Sequence, residues 1–339
     1  MKIMRFAGFF LLLILLQSCS DPNQFQESHY NGYAQGTTFH ISYLYKGDDI
    51  ANMDEILKQH FEAVDFSLST YKDNSLISRI NRGDTIATDD IFQIVHNKSV
   101  EVWEASGGYF DPTVGKLVRF WGFGPDARRA VDTSEVDSIK AYIGLERLSP
   151  ISSPWAIPSG MELDYNAIAQ GYTVDLLCEM LEARGISNYM VEVGGEVRCL
   201  GHNLKEEAWR IGVDKPTEDI DQQDRFQFIL GMDSLALATS GNYRKFWVDS
   251  LSGMRYAHTI NTKTGYPAKN NLLSVSVLAP TCMEADAYAT AFMSMGLKGC
   301  LNYLKSHPGK MEVYLIYTEA GKEGWQVYQS EGFEKRVLN

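Results

Sequence analysis

The sequence predicts an α+β fold, with mixed, largely antiparallel sheets and helices packed against them in one body. Three observations lead there. Strand and helix patterns alternate without the regular βα order that a parallel sheet requires. Short segments of strand character crowd the second half of the chain, at 209–213, 225–232, 234–239, 272–279, 311–318 and 325–329. No repeat period runs through the 339 residues, of which 45% are hydrophobic and 12% aromatic, enough to bury a sizeable core.

The elements follow in order. Lys2 and Arg5 precede an apolar run over 6–16. The run is too short for an ordinary membrane span of about 20 residues and has the length of a signal-peptide core. It ends in Leu16-Gln17-Ser18-Cys19, which resembles the lipobox of bacterial lipoproteins. That resemblance implies a signal peptide over 1–18 and acylation of Cys19. The polar stretch 19–28 then reads as a tether. Residues 29–339 form the folded domain, held at the bacterial cell envelope with its body in the periplasm or outside.

Residues 29–45 have strand character, with Gly36 as a bulge or a point of close backbone approach. Apolar residues at helical spacing predict helices over 52–67, 75–81 and 90–106. Gly107-Gly108-Tyr109-Phe110-Asp111-Pro112-Thr113-Val114-Gly115 is a shaped loop, because glycines flank it and a proline follows its acid. Phe120-Trp121-Gly122-Phe123 reads as core. A charged helix is expected over 127–145 and a proline-rich loop over 150–160. Extended chain then turns into helix at Asp164, a helix cap or a ligand-holding acid. Residues 189–198 read as a strand interrupted by Gly194-Gly195. A hairpin is expected around Ser252-Gly253, then a helix over 281–295 and a short one over 296–303.

The formal net charge of -12 argues against nucleic-acid partners, which need a basic surface. Cysteines stand at 19, 178, 199, 282 and 300 with no C-x-x-C pair, which disfavours a zinc ribbon or thioredoxin-like site. The last four lie in apolar surroundings and are expected to be buried, with one disulfide left open.

Glycine loops at Gly36, Gly107-Gly108 and Gly194-Gly195 could receive phosphates, yet none fits the P-loop or the dinucleotide fingerprint. A nucleotide must be held some other way. Asp286 and Thr290 are four apart and share one helix face. An acid and a hydroxyl converging with a main-chain carbonyl make an oxygen site, which suits Mg²⁺ rather than zinc. His258, at a strand end, is a candidate acid/base or phosphate contact.

Taken together, several strings resemble the successive signatures of the ApbE family, the FAD:protein FMN transferases. They are Gln35-Gly36-Thr37-Thr38, Ser69-Thr70-Tyr71, Gly108 to Gly115, Leu163 to Tyr172, Val193-Gly194-Gly195-Glu196, Thr239-Ser240-Gly241, His258-Thr259-Ile260-Asn261 with Thr264-Gly265, and Ala285-Asp286-Ala287 with Thr290. They run in order from about residue 30 to about residue 300. The resemblance implies an ApbE-like catalytic body that moves FMN from FAD to a Thr or Ser hydroxyl of an exported or membrane target protein, with Mg²⁺, releasing AMP. It implies metal ligation by the Ala167 carbonyl, Asp286 and Thr290. It implies FAD contacts from Gln35, Tyr71, Tyr109, Phe110, Asp111, Asp164, Gln170 and His258, the flavin resting on the Tyr109-Phe110 loop. His258 or Asp286 would handle the acceptor proton. Three positions depart from the family pattern: Gln35 where Met is usual, Gln170 where many relatives carry Lys, and Ala289 where some carry Asp. The same ligands would serve an FAD pyrophosphatase, with water replacing the acceptor, or a non-catalytic flavin-binding lipoprotein.

Overall fold

A computed structural model describes residues 23–126, 131–216, 225–242, 246–248 and 255–338. The signal peptide and Cys19 lie outside these residues, as does the tip of the hairpin expected at Ser252-Gly253. The strands are β1 (Gln26–Ala34), β2 (Thr37–Tyr45), β3 (Tyr189–Val193), β4 (Glu196–Leu200), β5 (Trp209–Asp214), β6 (Phe226–Met232), β7 (Ser234–Gly241), β8 (Phe246–Val248), β9 (Arg255–Ala257), β10 (Ile260–Asn261), β11 (Tyr266–Pro267), β12 (Leu272–Ala279), β13 (Glu312–Thr318), β14 (Trp325–Gln329) and β15 (Val337–Leu338). The helices are α1 (Met53–Leu68), α2 (Leu76–Asn81), α3 (Asp90–Ala105), α4 (Gly115–Phe120), α5 (Val136–Lys140), α6 (Asn166–Glu182), α7 (Cys282–Ser306) and α8 (Glu331–Glu334).

One large antiparallel sheet runs β1-β2-β3-β4-β7-β12-β13-β14. Its two faces are both covered. Ala238 on β7, Val275 and Val277 on β12, and Val313 and Leu315 on β13 pack with α6 and α7 in the main core. The residues between them, Leu237, Leu278, Tyr314 and Ile316, pack against Trp209, Ile211 and Val213 of the small sheet β15-β6-β5. Because successive side chains point to opposite faces, double coverage requires nearly continuous apolar strands. The run Leu272–Ala279 is of that kind, with Leu272 and then Ser274 through Ala279 all buried.

Several expectations need correction. Residues 29–45 are not one strand with a bulge but the hairpin β1–β2, paired from Gln26↔Tyr45 to Ala34↔Thr37. Its two-residue turn has positive φ at both positions, 52° at Gln35 and 77° at Gly36, which suits the twist of a tight hairpin. The Gly194-Gly195 interruption is likewise the turn of a hairpin, β3–β4. Of the charged helix expected over 127–145, residues 127–130 lie outside the described residues; over 131–145 it shrinks to the five residues of α5 and flanking short turns. Gly144, at φ 135°, breaks any continuation. The strand β1 begins at Gln26, so the last residues assigned to the tether belong to the sheet. Cys178, Cys199, Cys282 and Cys300 are buried free thiols, so no disulfide joins them. The expected break near residue 296 is present: α7 kinks at Gly296, whose φ of 74° is outside the helical range.

Candidate active site

Two glycine turns lie side by side at one end of the large sheet. β2 pairs with β3, and the Gly194 N–H donates to Thr38 O at 2.9 Å. The helix α6 approaches them from one face. Its Gln170 amide donates to Val193 O at 2.8 Å and to a Glu196 carboxylate oxygen. A Cβ on residue 194 would stand 2.0 Å from Gln170 Nε2, so the glycine leaves room for that side chain. Gln170 is therefore bound to the turn. Gln35 is also anchored: it donates to Asp65 Oδ1 and accepts from Thr173 Oγ1, both at 3.2 Å. Asp65 in turn holds Lys72 at 2.7 Å.

The helices α6 and α7 cross in close contact. A Cβ on Gly171 would lie 2.4 Å from Cys282 O and 2.8 Å from Asp286 Cβ. Only glycine permits that approach. Asp175, one turn further along α6, accepts the Cys282 and Met283 N–H groups at 2.9 and 2.8 Å and so caps α7. Arg198 pairs with the same carboxylate at 3.0 Å. This fixes the register of α7, on which Asp286 and Thr290 sit.

The geometry bears on a cation site. In a regular helix the residue-171 amide donates to the residue-167 carbonyl. Here the Gly171 N–H reaches Asp286 Oδ2 at 3.0 Å, so one donor links the positions of the carbonyl and the carboxylate. Thr290 Oγ1 lies 3.3 Å from Ser240 Oγ. One buried carboxylate among neutral oxygens suits a hard cation that retains waters, as Mg²⁺ does. Among the described residues no three His, Cys, Asp or Glu side chains converge, and an oxygen set with a single carboxylate does not require that.

The loop between α3 and α4 is organised by Asp111. Its Oδ1 accepts from Thr113 N and Oγ1 at 2.9 and 2.6 Å, and its Oδ2 from Trp103 Nε1 and Leu145 N at 3.1 and 3.3 Å. Burial raises its pKa while these donors oppose the rise. With its acceptor sites engaged, Asp111 shapes the loop more than it offers a carboxylate to a ligand. Phe110 is 3% exposed and belongs to the main core, which leaves Tyr109 as the ring available at the surface of the loop. The aromatic pair Phe120 and Trp121 is core as expected, with Trp121 Nε1 donating to Gly265 O at 2.8 Å.

Asp164 sits between this loop and α6. Its N–H donates to Pro112 O at 2.7 Å, and its Oδ1 accepts from Asn166 N at 2.8 Å. The N-cap position of α6 is Tyr165, so Asp164 is not the helix cap; it ties down the first residue of the helix from one position before the cap, and it also faces the cavity. Burial raises its pKa, opposed by the bonds to Asn166. Tyr71 stands more open, 62% exposed, with its hydroxyl 3.5 Å from Phe123 O. The His258 ring lies edge-on to Phe123, centroids 6.4 Å apart.

One cavity of about 1850 Å³ unites these parts. Every flavin and metal position expected from the sequence, from Gln35 to Thr290, lies on its wall. So do Asp65, Lys72, Arg210 and Arg225, which sequence reasoning missed. Nothing local marks them, since each joins the site through a tertiary contact. Ser240 lies in the string Thr239-Ser240-Gly241, but its approach to Thr290 spans 50 positions.

Known proteins resemble this chain over most of its length. Residues 35–315 match the ApbE family. An FAD:protein FMN transferase of Vibrio cholerae is 33% identical over 331 residues, 95% of this chain and 96% of its own. That of Escherichia coli K12 is 31% identical, covering 85% of this chain and 83% of its own. Among solved structures, flavin transferase ApbE from Vibrio cholerae superposes with a TM-score of 0.81 at 33% identity, over 92% of this chain and 99% of that one. The apo flavinyl transferase ApbE of Pseudomonas stutzeri gives 0.82 at 27% identity, over 94% and 98%.

Proposed function

The chain belongs to the ApbE family and is an FAD:protein FMN transferase, and from that premise we propose that it transfers FMN to a Thr or Ser hydroxyl of an exported protein in a Mg²⁺-dependent reaction. The observation that carries the reading is the α6–α7 lock. It sets the Ala167, Asp286 and Thr290 positions on the wall of the cavity that also holds the glycine turns and Asp164. In the transfer, the acceptor oxygen forms a bond to the FMN phosphorus and the phosphoanhydride bond breaks. AMP leaves with the bridging oxygen, and the acceptor proton passes to a base. Phosphoryl transfer is mostly positioning and charge neutralisation. A bound Mg²⁺ would neutralise the diphosphate, held by the Ala167 carbonyl, Asp286 and Thr290. His258 or Asp286 takes the acceptor proton. The glycine turns and Asp164 fix the FAD, and Tyr109 supports the flavin.

The test follows AMP release from FAD with and without an acceptor protein, and with the divalent cation chelated. The reading predicts AMP in step with acceptor modification and its loss on chelation. AMP with free FMN and no modified acceptor would instead show a pyrophosphatase. FAD retained without cleavage would show a flavin-binding protein.

The lipobox-like string Leu16-Gln17-Ser18-Cys19 supports an envelope location for this chemistry. Acylation of Cys19 would anchor the body to a membrane. Cys19→Ser is expected to move the protein from the membrane fraction to the soluble fraction on centrifugation, with FAD cleavage retained. Membrane retention of that variant would contradict the anchor.

A further inference from the structure

The cavity exceeds what small ligands need. Pockets for small molecules span roughly 300–1,000 Å³, and this one reaches about 1850 Å³. Beyond the Gly194-Gly195 turn, its wall includes five consecutive residues of β5, from Arg210 to Asp214. A strand that presented one face would contribute alternate residues only. Moreover, Ile211 and Val213 point into the core between the sheets. What borders the cavity is therefore the main-chain edge of β5.

Among the described residues that edge is free of strand pairing. β5 is the outer strand of β15-β6-β5, and among the described residues it pairs with β6 alone. The ladder shows which groups face outward. Gly231 of β6 donates its N–H to Arg336 O at 2.9 Å, on the β15 side. Arg210 lies opposite Gly231. In an antiparallel pair, residues alternate between bonding the partner strand and pointing away from it. The N–H and C=O of Arg210 therefore point away from β6, and so do those of Gly212, two residues on. Across the cavity, Glu192 of β3 accepts from Gly195 N–H at 2.6 Å and holds His40 at the same distance. Arg225 forms a two-point pair with Asp214 at 2.7 and 3.0 Å. The walls thus carry both signs of charge.

We propose that an extended segment of the acceptor protein pairs with the outer edge of β5, bonding the main-chain groups of Arg210 and Gly212. This rests on the transferase reading and adds the strand on which the acceptor docks. In strand addition the main-chain hydrogen bonds supply affinity, and alternate side chains of the added segment meet the wall of the groove. Free edges in monomers are normally blunted by charge or a bulge. The charge of Arg210 and the register shift at Val213/Asp214 are such devices. An edge that merely avoids aggregation has no reason to border the reaction cavity, and this one does.

Amide hydrogen exchange of the whole protein, with FAD, Mg²⁺ and a recombinant unflavinylated acceptor, tests the proposal. The Arg210 and Gly212 amides should exchange fast in the free protein and slow when the acceptor is added, while Ile211 and Val213 are slow throughout. The acceptor is analysed by mass in the same reaction. FMN on the acceptor without slowing at Arg210 and Gly212 overturns the docking strand alone. No FMN on the acceptor overturns the transferase reading and the docking strand with it. A second arm compares Arg210→Pro, which removes the outward N–H at an edge position where proline is tolerated, with Arg210→Ala, which keeps it. Arg210→Pro should raise the acceptor KM roughly tenfold over Arg210→Ala, as loss of main-chain hydrogen bonding would, with FAD affinity unchanged. Equal KM values in the two variants would overturn the proposal.

Discussion

Asp164 shows how one residue serves two ends. Its carboxylate accepts from the Asn166 N–H at the start of α6, and burial makes its charge costly, raising its pKa. Asn in its place would still accept the bond from Asn166 N–H and would carry no charge to desolvate. Asp164→Asn is therefore expected to melt at the same or a higher temperature while FAD binding weakens severely. Thermal melts and flavin fluorescence titration check the pair of outcomes, and a variant that melts lower with normal FAD affinity would contradict the assignment. His96 behaves differently. It is 4% exposed, and its Nδ1 lies 2.7 Å from the hydroxyl of Tyr165, the residue that follows Asp164 in the chain. Burial lowers its pKa from 6.5 to about 4. Below the unfolded value the unfolded chain takes up a proton that the folded one refuses. The contribution is thus whole above pH 6.5 and is lost as pH falls toward about 4. Urea unfolding over that range should show a flatter pH dependence for His96→Gln than for the parent, and parallel curves would refute this.

At the scale of elements, the site depends on how closely α6 and α7 approach. Gly171→Ala would drive a methyl group into Cys282 O and Asp286 Cβ. Overpacking of this kind costs roughly 1–3 kcal/mol. The variant is expected to lose that much stability in urea titration. It should also require more Mg²⁺ for half-maximal FAD cleavage, because the shift separates Ala167 from Asp286. An unchanged Mg²⁺ requirement would argue against the cation site. The contact also shows where sequence reading stops. The spacing of Asp286 and Thr290 on one helix face was legible, because helical periodicity is local. The cap that fixes α7 was not, because Asp175 lies 107 and 108 positions from the amides that it binds. The β1–β2 hairpin is illegible for another reason. Gln35-Gly36 lacks the Asn-Gly or Asp-Gly signature of a tight turn, and Gln35 adopts positive φ while held between Asp65 and Thr173.

For the whole molecule, the α+β class was legible because strand and helix periods are written along the chain. The ApbE signatures fixed the family and the order of the site loops. The double coverage of the large sheet was only implicit in apolar runs such as Leu272–Ala279, since a continuous run states that both faces are buried without saying by what. The β5 side of the cavity was not legible at all. It arises where the small sheet meets the glycine turns, a juxtaposition of β3 and β5 that no local pattern encodes. The central claim is that this cavity joins FMN to a protein hydroxyl. The most direct measurement is peptide mass mapping of an acceptor protein incubated with the enzyme, FAD and Mg²⁺, beside a reaction with Asp286→Ala. The account predicts FMN in phosphoester linkage on one Thr or Ser, with AMP released in equal amount, and neither with the variant. FMN found only free in solution, or modification by Asp286→Ala at the parent rate, would contradict it.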